Sequence, residues 1–114
     1  MPGWKARFGA AAERDYLNIL DWTRERFGVR QARAYRGVPD AAIRELRNGP
    51  DPPGSRRRGE IAAGLWSLHV ARHGRRGRHI LLYRATGDGV IEVIRILHDG
   101  MEIARHLPPG EGET

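Results

Sequence analysis

The chain has 114 residues, enough for one domain with a modest core and too few for two. Hydrophobic residues at 39% and charged residues at 30% exclude a disordered tail, and no apolar run approaches the roughly 20 residues that cross a bilayer. The absence of cysteine excludes disulfides, thiolate zinc sites and cysteine nucleophiles, while 20 Lys and Arg against 14 Asp and Glu give a net charge of +6.

Lys5 is the only lysine, so the positive charge is almost entirely arginine. Arginine keeps its charge when buried and grips carboxylates or phosphates with a planar fork, which suits a tightly held anionic partner. A GC-rich coding sequence would also favour arginine without any binding. Met1 to Ala12 carries Lys5 and Arg7 but no apolar segment of a secretory signal, so a cytoplasmic location is expected.

In chain order, Lys5 to Phe8 is a candidate edge strand. From Ala10 to Phe27, the residues Ala12, Tyr16, Leu20, Thr23 and Phe27, with Ile19 beside them, recur at helical spacing and predict a helix that Gly28 stops. Asp15, Asn18, Asp21 and Glu25 form its polar side, with Trp22 at the edge, placed either to pack on the next element or to meet a partner. A second helix is predicted from about Arg30 to Arg47 on Ala32, Tyr35, Ala42, Ile43 and Leu46, kinked or split by Gly37 and Pro39. The pair reads as an antiparallel helical hairpin. Asp51 to Gly59, with Arg56, Arg57 and Arg58, has no periodicity and reads as a basic connector.

Beyond Glu60 the pattern changes. Trp66, Leu68 and Val70 alternate with Ser67, His69 and Ala71, and two further apolar runs cover His79 to Tyr83 and Val90 to Leu97. His73 to Gly77 and Thr86 to Gly89 are hairpin connections too short for parallel crossovers, so these three strands form an antiparallel meander. After the turn at Asp99 and Gly100, Met101 to Leu107 forms a short helical segment, with Ile103 and Leu107 on one side. Pro108 and Pro109 end it, and 110–114 is a frayed tail of a domain that otherwise spans 1–114. The predicted fold class is α+β: an N-terminal helical hairpin packed on one face of a three- to four-stranded antiparallel sheet, with a short C-terminal helical segment.

The runs Gly64-Leu65-Trp66-Ser67-Leu68-His69-Val70 and His79-Ile80-Leu81-Leu82-Tyr83-Arg84, followed by Val93-Ile94-Arg95-Ile96-Leu97-His98-Asp99-Gly100-Met101-Glu102-Ile103-Ala104-Arg105-His106-Leu107, resemble the ParE branch of the RelE/ParE toxin superfamily. The ending is the specific part: toxins of this branch commonly close with an Ile-x-Arg-x-Leu-His strand, a small turn, and a short Asp-Ile-x-Arg-x-Leu-like segment, in which Glu102 here stands where the family often has Asp. Asp15 to Trp22 is similar to the family's first helix, and the likeness runs from about Lys5 to Leu107. The turn Gly74 to Arg78 is longer and more basic than is usual in the branch, and Gly37 with Pro39 interrupts the second helix.

The resemblance implies a bacterial type II toxin that inhibits a replication target, DNA gyrase, by binding. It also implies a hetero-oligomer with a cognate ribbon-helix-helix, ParD-like antitoxin, and the residues themselves give no reason to expect a cofactor. The alternative it leaves open is an mRNA endoribonuclease of the RelE type, for which Tyr83, Arg95, His98 and Arg105 would be the catalytic candidates. Arg95 and His98 stand an odd number of residues apart and point to opposite faces of a regular strand, and His98 would otherwise end its strand by bonding to the turn.

The partner-binding candidates are Trp22 and Trp66 with Arg72, Arg75, Arg76, Arg78, Arg84, Arg95 and Arg105, since clustered cations steer and hold an acidic partner. The competing reading is a solvated arginine surface. His69 and His73 would stand about 13 Å apart along a strand, too far to share a metal ion, so no metal site is expected. Gly74, Gly77, Gly87 and Gly89 fit hairpin turns rather than a phosphate cradle, because no helix N-terminus follows them.

Overall fold

Gly28 divides the N-terminal half into two helices. In the computed structural model, which describes residues 3–74, 76–101 and 103–106, strand β1 (Lys5–Phe8) leads into helix α1 (Ala10–Phe27). Gly28, at φ 94°, donates its N–H to the Arg24 carbonyl over 2.9 Å and turns the chain into helix α2 (Val29–Glu45). A φ in that region is open to glycine and strained for other residues.

The predicted break at Gly37 and Pro39 does not occur, and α2 runs unbroken through both. Its neighbour supplies the reason. The Tyr16 phenol of α1 stands 2.6 Å from the Arg36 carbonyl and 2.9 Å from Asp40 Oδ1, and Pro39 is buried, so packing against α1 holds the turn that a proline weakens.

A 3-10 turn (Leu46–Asn48) ends the hairpin, after which come β2 (Arg56–Arg57), β3 (Leu65–His69), β4 (His79–Ala85) and β5 (Val90–His98), and finally a second 3-10 turn (Ile103–His106). The strands form one five-stranded sheet in the order β1-β5-β4-β3-β2. The β3-β4-β5 meander is antiparallel, as short connections demand.

Two features correct the expected three- to four-stranded antiparallel sheet. Strand β1 pairs with β5 in parallel, Lys5 opposite Val90 and Phe8 opposite Val93, because both helices and strands β2 to β4 lie between the two and supply the long crossover that parallel pairing needs. The basic connector contributes β2, with Arg56 opposite Ser67 and Arg57 opposite Trp66, a pairing too short to leave an alternating pattern.

Alternation along the strands separates two apolar clusters. Ala12, Ala42 and Leu46 of the helical hairpin and its closing turn pack with Leu68, Val70, Leu81, Tyr83, Ile91, Val93 and Ile96 on one sheet face. The reverse face carries a smaller cluster of Ala62, Leu65, Leu82, Ile94 and Leu97, against which Ile61 and Ile103 rest. Each fully buried aliphatic side chain contributes about 1.5–3 kcal/mol, so the helix-side cluster dominates stability.

The alternation slips once. Tyr83 pairs with Val93 while Leu82 pairs with Arg95, so Ile94 is the extra residue of a β-bulge and falls in the reverse-face cluster. Arg95 follows it in register with Leu82 and pairs with Asp15 of α1. The Asp15 carboxylate accepts Arg95 Nε at 2.6 Å, Arg95 Nη2 at 2.9 Å and the Ile96 backbone N–H at 2.9 Å, and Arg95 Nη1 donates to the His106 carbonyl. One pair thus joins α1, the strand edge and the C-terminal turn.

A second ion pair closes the α2 end. Arg72, with only 12% of its side chain exposed, makes a two-pronged contact with Glu45 at 2.8 and 2.9 Å, and His73 adds a third contact at 3.2 Å. The Arg72 guanidinium, helped by His73, holds the Glu45 carboxyl down at about 2. Its ordinary value is near 4.5, so the contribution is fully present above that pH and is lost as pH falls from about 4.5 through about 2. In acid unfolding followed by circular dichroism, Glu45→Gln is expected to lower stability at neutral pH and to flatten the decline over that window.

Candidate partner-binding site

The open end of the layered structure, where the last turns of α1 meet the start of α2 and the ends of β4 and β5, forms a cleft of about 540 Å³. Ile19, Trp22 and Phe27 of α1 and Tyr35 of α2 give it apolar walls, and Arg76, Arg78, His79 and His98 give it a basic border. Phe27, expected in the core stripe, is 64% exposed because it lies on the last turn of α1, at this open end of the layer.

Trp22 is 52% exposed, so of its two readings the structure places it towards solvent. Phe27 meets its edge at 5.9 Å and the Arg26 guanidinium lies 5.3 Å from its ring, contacts that leave much of the indole open. The β3–β4 connection closes onto the cleft because residue 77 is glycine. A Cβ there would stand 2.7 Å from Val70 and 3.1 Å from the Tyr35 oxygen, so a larger residue would push away the segment that presents Arg76 and Arg78.

The sheet ends bring together polar groups that no sequence motif joins. Tyr35 Oη lies 2.6 Å from His79 Nδ1, and the His79 and His98 rings meet edge to face at 5.8 Å. Burial, reinforced by Asp99, pushes the Tyr35 phenol up to about 12, so it keeps its proton and donates to His79. The His79 proton then sits on Nε2. Burial first, and then neighbouring His98, push the His79 imidazole below its ordinary value and keep it neutral at pH 7.

His98 Nδ1 accepts the Gly100 N–H at 3.1 Å and stands 3.7 Å from Asp99 Oδ1. Asp99 also takes His69 Nε2 at 2.9 Å and Arg78 Nε at 3.2 Å, and its carboxyl is held below the usual range chiefly by the His69 hydrogen bond. His69 and His73 therefore serve different carboxylates, Asp99 and Glu45.

The other candidate residues are dispersed. Trp66 is half-buried, stacked on Tyr83 at 6.4 Å and 12°, with the Arg57 guanidinium 5.1 Å from its ring. Tyr83 is fully buried on the helix side and donates to the Pro50 carbonyl at 2.6 Å. Arg72 is held by Glu45 and Arg95 by Asp15. Arg84 lies opposite Glu92 in register, Arg105 is exposed on the C-terminal turn, and Arg75 lies outside the described residues, as do Glu102 and Leu107. Of the nine partner-binding candidates, the cleft gathers Trp22, Arg76 and Arg78. Tyr83, Arg95 and His98 share no common site: Tyr83 is interior, Arg95 faces Asp15, and His98 ends β5 beside His79.

Residues that sequence reasoning missed here are Phe27, Tyr35 and His79. The available signal was the pairing of two histidines across a β4–β5 hairpin, readable only once its register is known.

A family model described as "ParE toxin of type II toxin-antitoxin system, parDE" matches residues 6–103. The chain belongs to the ParE toxin family. ParE-family proteins named Toxin ParE1, from two strains of Mycobacterium tuberculosis (CDC 1551 / Oshkosh and H37Rv), are each 36% identical over 102 residues, covering 85% of this chain and 91% of theirs. Among solved structures, a chain of the chromosomal ParDE toxin-antitoxin system from P. aeruginosa superposes with a TM-score of 0.69 at 17% identity, covering 86% of this chain and 98% of that one, a likeness of fold. A chain of the RelBE2 toxin-antitoxin complex from M. tuberculosis has a TM-score of 0.54 at 25% identity, covering 86% and 99%. Two helices on a five-stranded mixed sheet are therefore the ParE/RelE toxin fold, and this chain is a type II toxin of the ParE family. No helix among its described residues is long and apolar enough to cross a membrane.

Proposed function

We propose that this ParE-family toxin acts in the bacterial cytoplasm by binding and inhibiting DNA gyrase, and that a cognate ParD-like, ribbon-helix-helix antitoxin neutralises it by covering the helical hairpin and the adjoining sheet edge. The observation that carries this reading is the exposed aromatic cleft: Trp22 and Phe27 face solvent beside Arg76 and Arg78, a surface suited to an amphipathic, acidic segment. A mechanism of binding rather than bond-breaking is supported by the dispersal of Tyr83, Arg95 and His98, since acid-base chemistry needs its groups within reach of one substrate.

Expression of the chain without its antitoxin tests the reading in cells. Filamentation with induction of the DNA-damage response is the expected outcome, followed by recovery when the antitoxin is co-expressed. Immediate arrest of translation with cleaved mRNA would transfer the chain to the endoribonuclease reading, and unimpaired growth would remove it from both.

A further inference from the structure

The His79–His98 pair belongs to no catalytic arrangement above, yet it forms the border of the cleft where the helical hairpin meets the sheet. The cleft is two-sided: apolar on α1, through Trp22 and Phe27, and basic at the sheet ends, through Arg76, Arg78 and the two imidazoles. Such a surface matches a segment in which an aromatic or aliphatic side chain is followed closely by Asp or Glu.

We infer that His79 and His98 are binding residues that receive a carboxylate of the acidic antitoxin segment beside Arg76 and Arg78, and that docking takes up a proton at this pair. The inference rests on the docking reading given under the proposed function.

The charges facing the pair support it. From α2 comes Tyr35, which stays neutral; from β3 comes His69; from the β3–β4 connection come Arg76 and Arg78; and beyond β5 lies Asp99, already engaged by His69 and Arg78. From α1 the lining groups Asn18 and Thr23 carry no charge. In the free chain the two rings lie too close for both to be charged cheaply, and half-burial disfavours a charge on His79. An incoming carboxylate reverses that balance, because a cation beside an anion in a partly desolvated cleft is worth more than in water.

The sign follows from linkage. The imidazoles bind protons more tightly in the complex than in the free toxin, so affinity rises as pH falls through the complex's imidazole range and is lost as pH rises through it. One proton taken up changes Kd by at most about tenfold per pH unit.

Calorimetric titration of the toxin with its cognate antitoxin, in buffers of unlike ionisation enthalpy and between about pH 7.5 and 6, counts the protons directly. The expected result is net uptake near pH 6.5 with a several-fold fall in Kd towards pH 6. The double variant His79→Gln/His98→Gln should abolish the uptake and the gain in affinity towards pH 6, with weaker binding throughout, whereas His73→Asn, outside the cleft, should change neither. Imidazole titrations by NMR on the unaltered chain give a readout independent of the variants' folding: the His79 ring should titrate at higher pH in the complex than in the free toxin. A pH-independent Kd that still depends on Trp22 overturns the histidine assignment alone. An affinity indifferent to Trp22→Ala overturns the docking reading, and this inference with it.

Discussion

Replacing Asp15 with alanine is expected to destabilise the fold by about 3 kcal/mol, because it leaves a largely buried guanidinium without its carboxylate and an uncapped Ile96 N–H at the strand edge. The pair is well shielded, with 14% of the Asp15 side chain and 22% of the Arg95 side chain exposed, so screening by solvent does not reduce it to the near-zero value of a surface ion pair. For a chain of this size the loss corresponds to a fall in Tm of roughly 10 °C or more. Arg95→Ala should cost a similar amount, since it strands the Asp15 charge and releases the His106 carbonyl. The double variant should be much less destabilised than the sum of the singles. Thermal and urea unfolding of the three variants measure this directly, and strict additivity would show that the two residues act separately.

Trp22→Ala is expected to have the opposite profile. The indole is half-exposed, with ring contacts to Phe27 and Arg26 of its own helix end, so stability should change by less than about 1 kcal/mol. Binding of the antitoxin should weaken by about 30-fold or more, the usual cost of losing an aromatic anchor at the centre of an interface. Titration of the purified pair measures the affinity, and unfolding of the free toxin measures the stability. Loss of stability with retained affinity would make Trp22 a structural residue and move the interface elsewhere.

These two residues show what the sequence could and could not reveal. Trp22 was visible as an aromatic at the edge of a polar helix face, because helical periodicity alone assigns faces, but periodicity does not say where the sheet beneath a helix ends. For the same reason Phe27 read as core and proved to be exposed at the cleft. Asp15 read as solvated polar surface, because helical periodicity does not show that Arg95 of β5, which the bulge at Ile94 sets in register with Leu82, reaches back to pair with it.

The meander was legible because its connections are too short for any other pairing. The parallel placement of β1 was not, since it depends on where the chain returns after both helices and three strands. Strand β2 was hidden because two arginines carry no pattern. The continuity of α2 depended on Tyr16, a residue of the other helix that no local rule about proline consults. His79 and His98 are 19 positions apart in the numbering, and only the hairpin register sets their rings face to edge.

The most direct test of the account is a supercoiling assay with purified DNA gyrase, the isolated toxin and its antitoxin. Addition of the toxin should halt supercoiling, and a stoichiometric amount of antitoxin should restore it, with the Trp22→Ala toxin still inhibiting but no longer rescued at the same antitoxin concentration. Undiminished supercoiling at saturating toxin, together with cleavage of ribosome-bound mRNA by the same preparation, would contradict the account.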